Sequence, residues 1–158
     1  GLSPAQLGLY FGAPALGYAV GNFLAGRYAA RVGVNRMILL GCITGFGGMV
    51  LLAVLYLAGQ LSAPVFFGCF ISTGLGNGML LPSATSGMMS VRPHLAGTAS
   101  GIGGAIMIGG GAGLSALAGA LLTAESGAAP LIWLMVITTG LAMLPLFYVL
   151  HREGRISA

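Results

Sequence analysis

The chain has 158 residues, of which 57% are apolar and only 5% charged, with a formal net charge of +4 and a mean hydropathy of +1.00. A soluble globular domain carries about a quarter of its residues as charged groups, so an ordinary soluble fold is excluded. Asp is absent, and two Glu, two His and two Cys lie far apart, which leaves metal binding and acid–base hydrolysis without material and implies neither a cofactor nor an enzyme.

The first apolar run is read as a membrane helix over residues 4–26. Ser3 is placed to cap it, Pro4 suits a first turn that lacks an N–H partner, and Gln6 stands at the capping-box position. Pro14 inside the run is expected to kink it. Tyr18 points to an inward hydrogen bond and becomes a cavity candidate; Tyr10 reads either the same way or as an interfacial anchor. A basic loop follows, carrying Arg27, Arg31, Gly33 and Arg36.

The second span, residues 37–58, is mostly aliphatic, with Gly41, Gly45 and Gly48 at helical spacing as a helix-contact stripe. The third, residues 64–90, differs in kind because it carries Ser72, Thr73, Asn77, Ser83, Thr85 and Ser86, with Pro82 as an expected bend. Cys69, Thr73 and Asn77 are four apart and should share a face. Asn77, the most polar side chain near the middle of any span, either hydrogen-bonds a neighbouring helix or lines a cavity. Cys42 and Cys69 both lie inside spans and read as small apolar side chains.

After Arg92, Pro93 and His94, the fourth span, residues 95–122, is dominated by small residues. Gly97, Gly101, Ala105, Gly109 and Gly113 recur every four positions, a ladder that lets another backbone approach closely. No strand precedes these glycines and no Lys-Ser/Thr follows, so they are not a phosphate loop. Glu125 is expected in a solvated external loop. The fifth span, residues 130–150, is again aliphatic, with Trp133 toward one end and Tyr148 with His151 toward the other as interfacial anchors. Composition then assigns spans two and five to lipid, and spans one, three and four to protein contacts or a water-filled path.

The six arginines fall in alternate breaks: Arg27, Arg31 and Arg36 in the first, Arg92 in the third, Arg152 and Arg155 in the tail. An arginine at the centre of a spanning helix costs about 2.5–3.5 kcal/mol, and basic loops remain cytoplasmic. An all-α membrane protein of five spans follows, with its N-terminus outside and its C-terminus cytoplasmic. The charge is a topology signal; aromatics do not interleave with the arginines, and no nucleic-acid partner is implied. An external N-terminus followed by an odd number of spans leads us to expect the C-terminal piece of a longer transporter.

The loop from Gly26 through Arg36 resembles the basic loop of the major facilitator superfamily. The opening Gly1–Gln6, the run Leu81–Thr85 and the run Pro93–Ser100 resemble the bicyclomycin-resistance (Bcr/CflA) drug/proton antiporters of that superfamily. The resemblance implies helices eight to twelve of a twelve-helix fold in a bacterial inner membrane, with the helices corresponding to spans two and five peripheral and that of span three lining the central cavity. Two departures stand out. Ala30 replaces the acid that commonly lies three residues before the loop glycine, so the charge relay proposed for that acid cannot operate here. Met107 replaces a frequent Gln; if that Gln contacts substrate in relatives, the resemblance implies either a more apolar substrate here or a site that does without the contact.

The function expected is secondary transport by alternating access, most specifically proton-coupled efflux of drugs or small amphipathic molecules. Its partners would be a small-molecule substrate, protons, the lipid bilayer and N-terminal helices of the same transporter. Tyr18, Thr73, Asn77 and Met107 are the cavity candidates, and the four arginines with Gly33 the cytoplasmic gating candidates. A transporter of another metabolite class, or a non-transporting membrane scaffold packing through small-residue faces, remains open.

Overall fold

The computed structural model describes residues 3–123 and 127–156, with backbone alone at 150 and 152–156. The expected external loop at Glu125 lies outside these residues, as do the side chains of Arg152 and Arg155. The described residues form helices α1 (Pro4–Val32), α2 (Val34–Leu57) and α3 (Ala63–Val91), then a short 3-10 turn at Pro93–Leu95, then α4 (Ala96–Leu121), α5 (Ala129–Leu141) and α6 (Met143–Ile156). Four stretches are long and apolar enough to cross a membrane: Val34–Leu57, Ala63–Val91, Pro93–Leu121 and Ala129–Val149. Helix α1 is 29 residues long, ample for a bilayer, but Gln6, Asn22 and its tyrosines dilute its apolar character.

The start of α1 follows its sequence closely. Gln6 N donates to Ser3 Oγ at 3.2 Å and Ser3 N donates to Gln6 Oε1 at 2.9 Å, so two orphan N–H groups are satisfied reciprocally. Its end does not. Where a loop was expected from Gly26 to Arg36, α1 continues to Val32 and α2 starts at Val34. Gly33 alone makes the turn, at φ 98° and ψ 141°, a conformation open essentially to glycine. Arg27 and Arg31 are therefore helical, and Arg36 occupies the first turn of α2.

Helices α1 and α2 both pack along α3, which is the centre of the bundle. Backbone meets backbone at these two seams. A Cβ added to Gly17, Gly21, Gly74 or Gly78 would overlap the facing helix between α1 and α3; one added to Gly41, Gly48 or Gly76 would do so between α2 and α3. Two apolar clusters fill the remaining space: Met49, Leu52, Ala53, Cys69 and Ile132 join α2, α3 and α5, and Ala25, Met37 and Met79 join α1, α2 and α3. The α2 stripe thus does what its spacing suggested.

Two features depart from expectation. The fifth span is two helices, because Pro145 has no N–H to offer the Leu141 carbonyl and the ladder breaks at Ala142. The assignment of α2 to lipid also differs: it is the most buried of the four long apolar stretches, packed against α3 and α5. Composition records how apolar a helix is, while glycine spacing sets how closely it is approached. Hydroxyls within the spans are mostly satisfied inside their own helix: Thr44 donates to Leu40 O, Thr138 to Leu134 O and Thr139 to Met135 O, at 2.6–2.8 Å. In lipid this internal pairing avoids an unsatisfied polar group.

Candidate functional site

Helix α3 presents three faces. Gly74 and Gly78 lie against α1, and Ser72 and Gly76 lie against α2. The third face carries Thr73, Asn77, Leu81, Ala84 and Met88, spaced at three or four residues so that they follow one row. Cys69 was expected on this row but is buried in the α2–α5 cluster. The reason is geometric: steps of four advance a helix by about 400°, so such a row drifts about 40° per step around the axis. Over two steps it passes from a buried seam at Cys69, through half-buried Thr73, to exposed Asn77.

The hydroxyls along α3 are not equivalent. Ser72 Oγ donates to Cys69 O at 2.6 Å and Thr85 Oγ1 to Leu81 O at 2.9 Å. Thr73 Oγ1 and Ser83 Oγ are enclosed and find no partner among the described residues. Toward the Arg92 end, α3 and α4 enclose a cleft of about 380 Å³, lined by Leu81, Ala84, Thr85 and Met88 from α3 and by Ser100, Gly103, Gly104 and Met107 from α4. Met107 is 56% exposed, and Met88 packs against Gly103. Two thioethers, two hydroxyls and no titratable side chain line this space. Such a lining suits an amphipathic guest of adaptable shape and offers no proton transfer. Among the described residues no His/Cys/Asp/Glu group is placed to hold a metal ion.

The other candidates separate from this cleft. Tyr18 is 41% exposed on α1, and its carbonyl accepts Asn22 Nδ2 at 2.8 Å while lying against Gly78. Arg27, Arg31, Arg36 and Arg92 are all exposed at the end of the bundle where α1 stops and α2 starts, with Arg92 forming the cap of α3. The α4 ladder is open within this chain: nothing lies within 4 Å of a Cβ added at Gly97, Gly101, Gly109 or Gly113. The close approach sought there is found at Gly17/Gly21 and Gly74/Gly78, whose spacing of four was a readable signal that sequence reasoning passed over. Met88, Ser100 and Asn22 were also missed; nothing in their sequence context marks them.

A sequence model of the Major Facilitator Superfamily matches residues 1–157, nearly the whole chain. The chain belongs to this superfamily. Its members are membrane transporters of small molecules rather than enzymes, and the all-helical fold with its long apolar helices agrees. This superfamily chain is accordingly an integral membrane transport protein. No curated protein matched it, and no solved structure matched it.

Proposed function

We propose that this chain is the C-terminal half-bundle, helices eight to twelve, of a proton-coupled exporter of drugs or small amphipathic molecules related to the Bcr/CflA group, working by alternating access in a bacterial inner membrane. The observation that carries the reading is the third face of α3. It sets exposed Asn77 one turn before a methionine-lined cleft whose largely apolar walls carry two hydroxyls, Thr85 and Ser100. A substrate site near mid-membrane, built from a few polar groups on an apolar wall, is the arrangement alternating access requires.

On this reading Asn77 and Thr73 contact substrate from α3, Met107 from α4, and Tyr18 from the middle of α1. The open ladder of Gly97, Gly101, Gly109 and Gly113 is the surface on which helices of the other half glide, and Arg27, Arg31, Arg36 and Arg92 hold the cytoplasmic gate. The chain's two acids, Glu125 and Glu153, both fall outside the apolar runs. Proton coupling needs a titratable group within the membrane, so the proton carrier belongs to the other half of the transporter.

The test is transport by the transporter that contains this chain, reconstituted in vesicles with an imposed pH gradient. Substrate-dependent proton movement, with Asn77→Leu changing substrate range at unchanged expression, supports the proposal. Normal transport by Asn77→Leu would make Asn77 a packing residue and remove the site.

A further inference from the structure

We propose that the groove between α1 and α2, at the end of the bundle away from the arginines, holds an acyl chain of a bilayer phospholipid. Two cavities make up this groove. One, of about 530 Å³, is walled by Gly8, Gly12 and Leu16 of α1 and by Phe67 of α3. The other, of about 410 Å³, is walled by Gly47, Leu51 and Leu55 of α2. Pro64 and Gly68 of α3 line both, so the two meet over a shared floor.

The chemistry of the walls suits a guest without polar groups. No charged side chain lines either cavity. Ser72, in the α3 wall, already donates its hydroxyl to Cys69 O at 2.6 Å. Tyr10 lies flat on Phe67 with ring centroids 5.2 Å apart, which gives the α1 side a stacked aromatic wall. A Cβ added at Gly8, Gly12, Gly47 or Gly68 would meet nothing within 4 Å. Their small size serves no contact among the described residues and leaves the groove open.

Depth selects a lipid chain over a partner helix. From Gly8 to Leu16 the α1 wall rises about 12 Å, close to the ~15 Å of hydrocarbon in one leaflet. Beyond that depth, Ala25, Met37 and Met79 pack together and close the space among the three helices. A helix seated in the groove would end at mid-membrane with its terminal N–H or C=O groups unpaired. An acyl chain leaves no polar group there. Exposed Leu9, Leu16 and Leu51 make the rim continuous with the apolar surface that an integral membrane protein turns to lipid. The inference requires only that the chain spans a membrane, and it is independent of the Asn77 site and of proton coupling.

The experiment extracts the full chain from vesicles of equal parts phosphatidylcholine and phosphatidylglycerol with matched acyl chains, then counts retained lipid by native mass spectrometry. Wild type should keep phospholipid through detergent exchange, with neither headgroup favoured, and should lose a short-chain phosphatidylcholine far more readily. Gly12→Leu and Gly68→Leu fill the groove and should each weaken retention about tenfold, the effect of about two methylenes losing their burial. Their thermal midpoints in lipid-free detergent should match wild type, which separates a filled groove from a damaged fold. Gly101→Leu, an equal enlargement at an open position on α4, should leave retention unchanged. Three results overturn the proposal: no lipid kept by wild type, unchanged retention in the Gly12→Leu/Gly68→Leu double variant, or a lipid-free dimer that either substitution dissociates, which would make the occupant a second copy of the chain.

Discussion

Adding one methyl group at Gly78 should loosen the α1–α3 seam, while the same change at Gly101 should not. A Cβ at Gly78 would stand 2.9 Å from both Gly21 Cα and Asn22 N, and closer still to the Tyr18 carbonyl. Carbon atoms sit best at about 3.5–4.0 Å, and opening a gap of about 0.5–1 Å forfeits a quarter to a half of each well. Because the groups in the way are backbone, the helices must separate along the whole seam. Overpacking of this kind costs about 1–3 kcal/mol. At Gly101 nothing lies within 4 Å of the new atom, and alanine is about 0.5–1 kcal/mol better than glycine inside a helix. Denaturant titration in micelles, followed by circular dichroism, should therefore show Gly78→Ala and Gly74→Ala destabilised by about 1–3 kcal/mol each and Gly101→Ala neutral or stabilised. Equal losses at Gly78 and Gly101 would refute the seam as the chain's close-contact surface.

Thr73→Val removes an enclosed hydroxyl that lacks a partner at nearly constant shape. An unsatisfied buried polar group costs about 1–3 kcal/mol, so the variant should unfold at higher denaturant, and a lower midpoint would mean the hydroxyl is paired. Gly33→Ala forces a side chain onto φ 98° and should lower stability by about 1–3 kcal/mol; a thermal midpoint equal to wild type contradicts the single-residue turn. Cys42 and Cys69 are 7% and 8% exposed, so a maleimide should label the folded chain far more slowly than the detergent-denatured one. Rapid labelling of either thiol in the folded state would show the α2–α3 seam to be open.

Much of the architecture was written in local chemistry. Ser3, Pro4 and Gln6 specify a helix start through groups within one turn of each other, and the apolar runs specify spans because lipid cannot hydrogen-bond an open backbone. The arginines mark helix ends for the same solvation reason. Less of the site was legible. Asn77 stood out through its polarity, but Met88 and Ser100 come to line one cleft with Met107 only because α4 folds back along α3. A methionine near a helix end carries no label of that.

The sequence by itself determined that the chain lives in a membrane, which stretches are apolar enough to span it, and which end collects the positive charge, because each of these depends on the transfer of single residues between water and lipid. The tertiary structure decided which glycines touch. Spacing of four occurs in α1, α2, α3 and α4 alike, but only rotation about each helix axis brings Gly17, Gly21, Gly41, Gly48, Gly74, Gly76 and Gly78 against a partner and leaves the α4 ladder open. The same rotation encloses Thr73 and exposes Asn77 a single turn later. Periodicity fixes which residues share a row; the direction that row faces is set by the neighbouring helices.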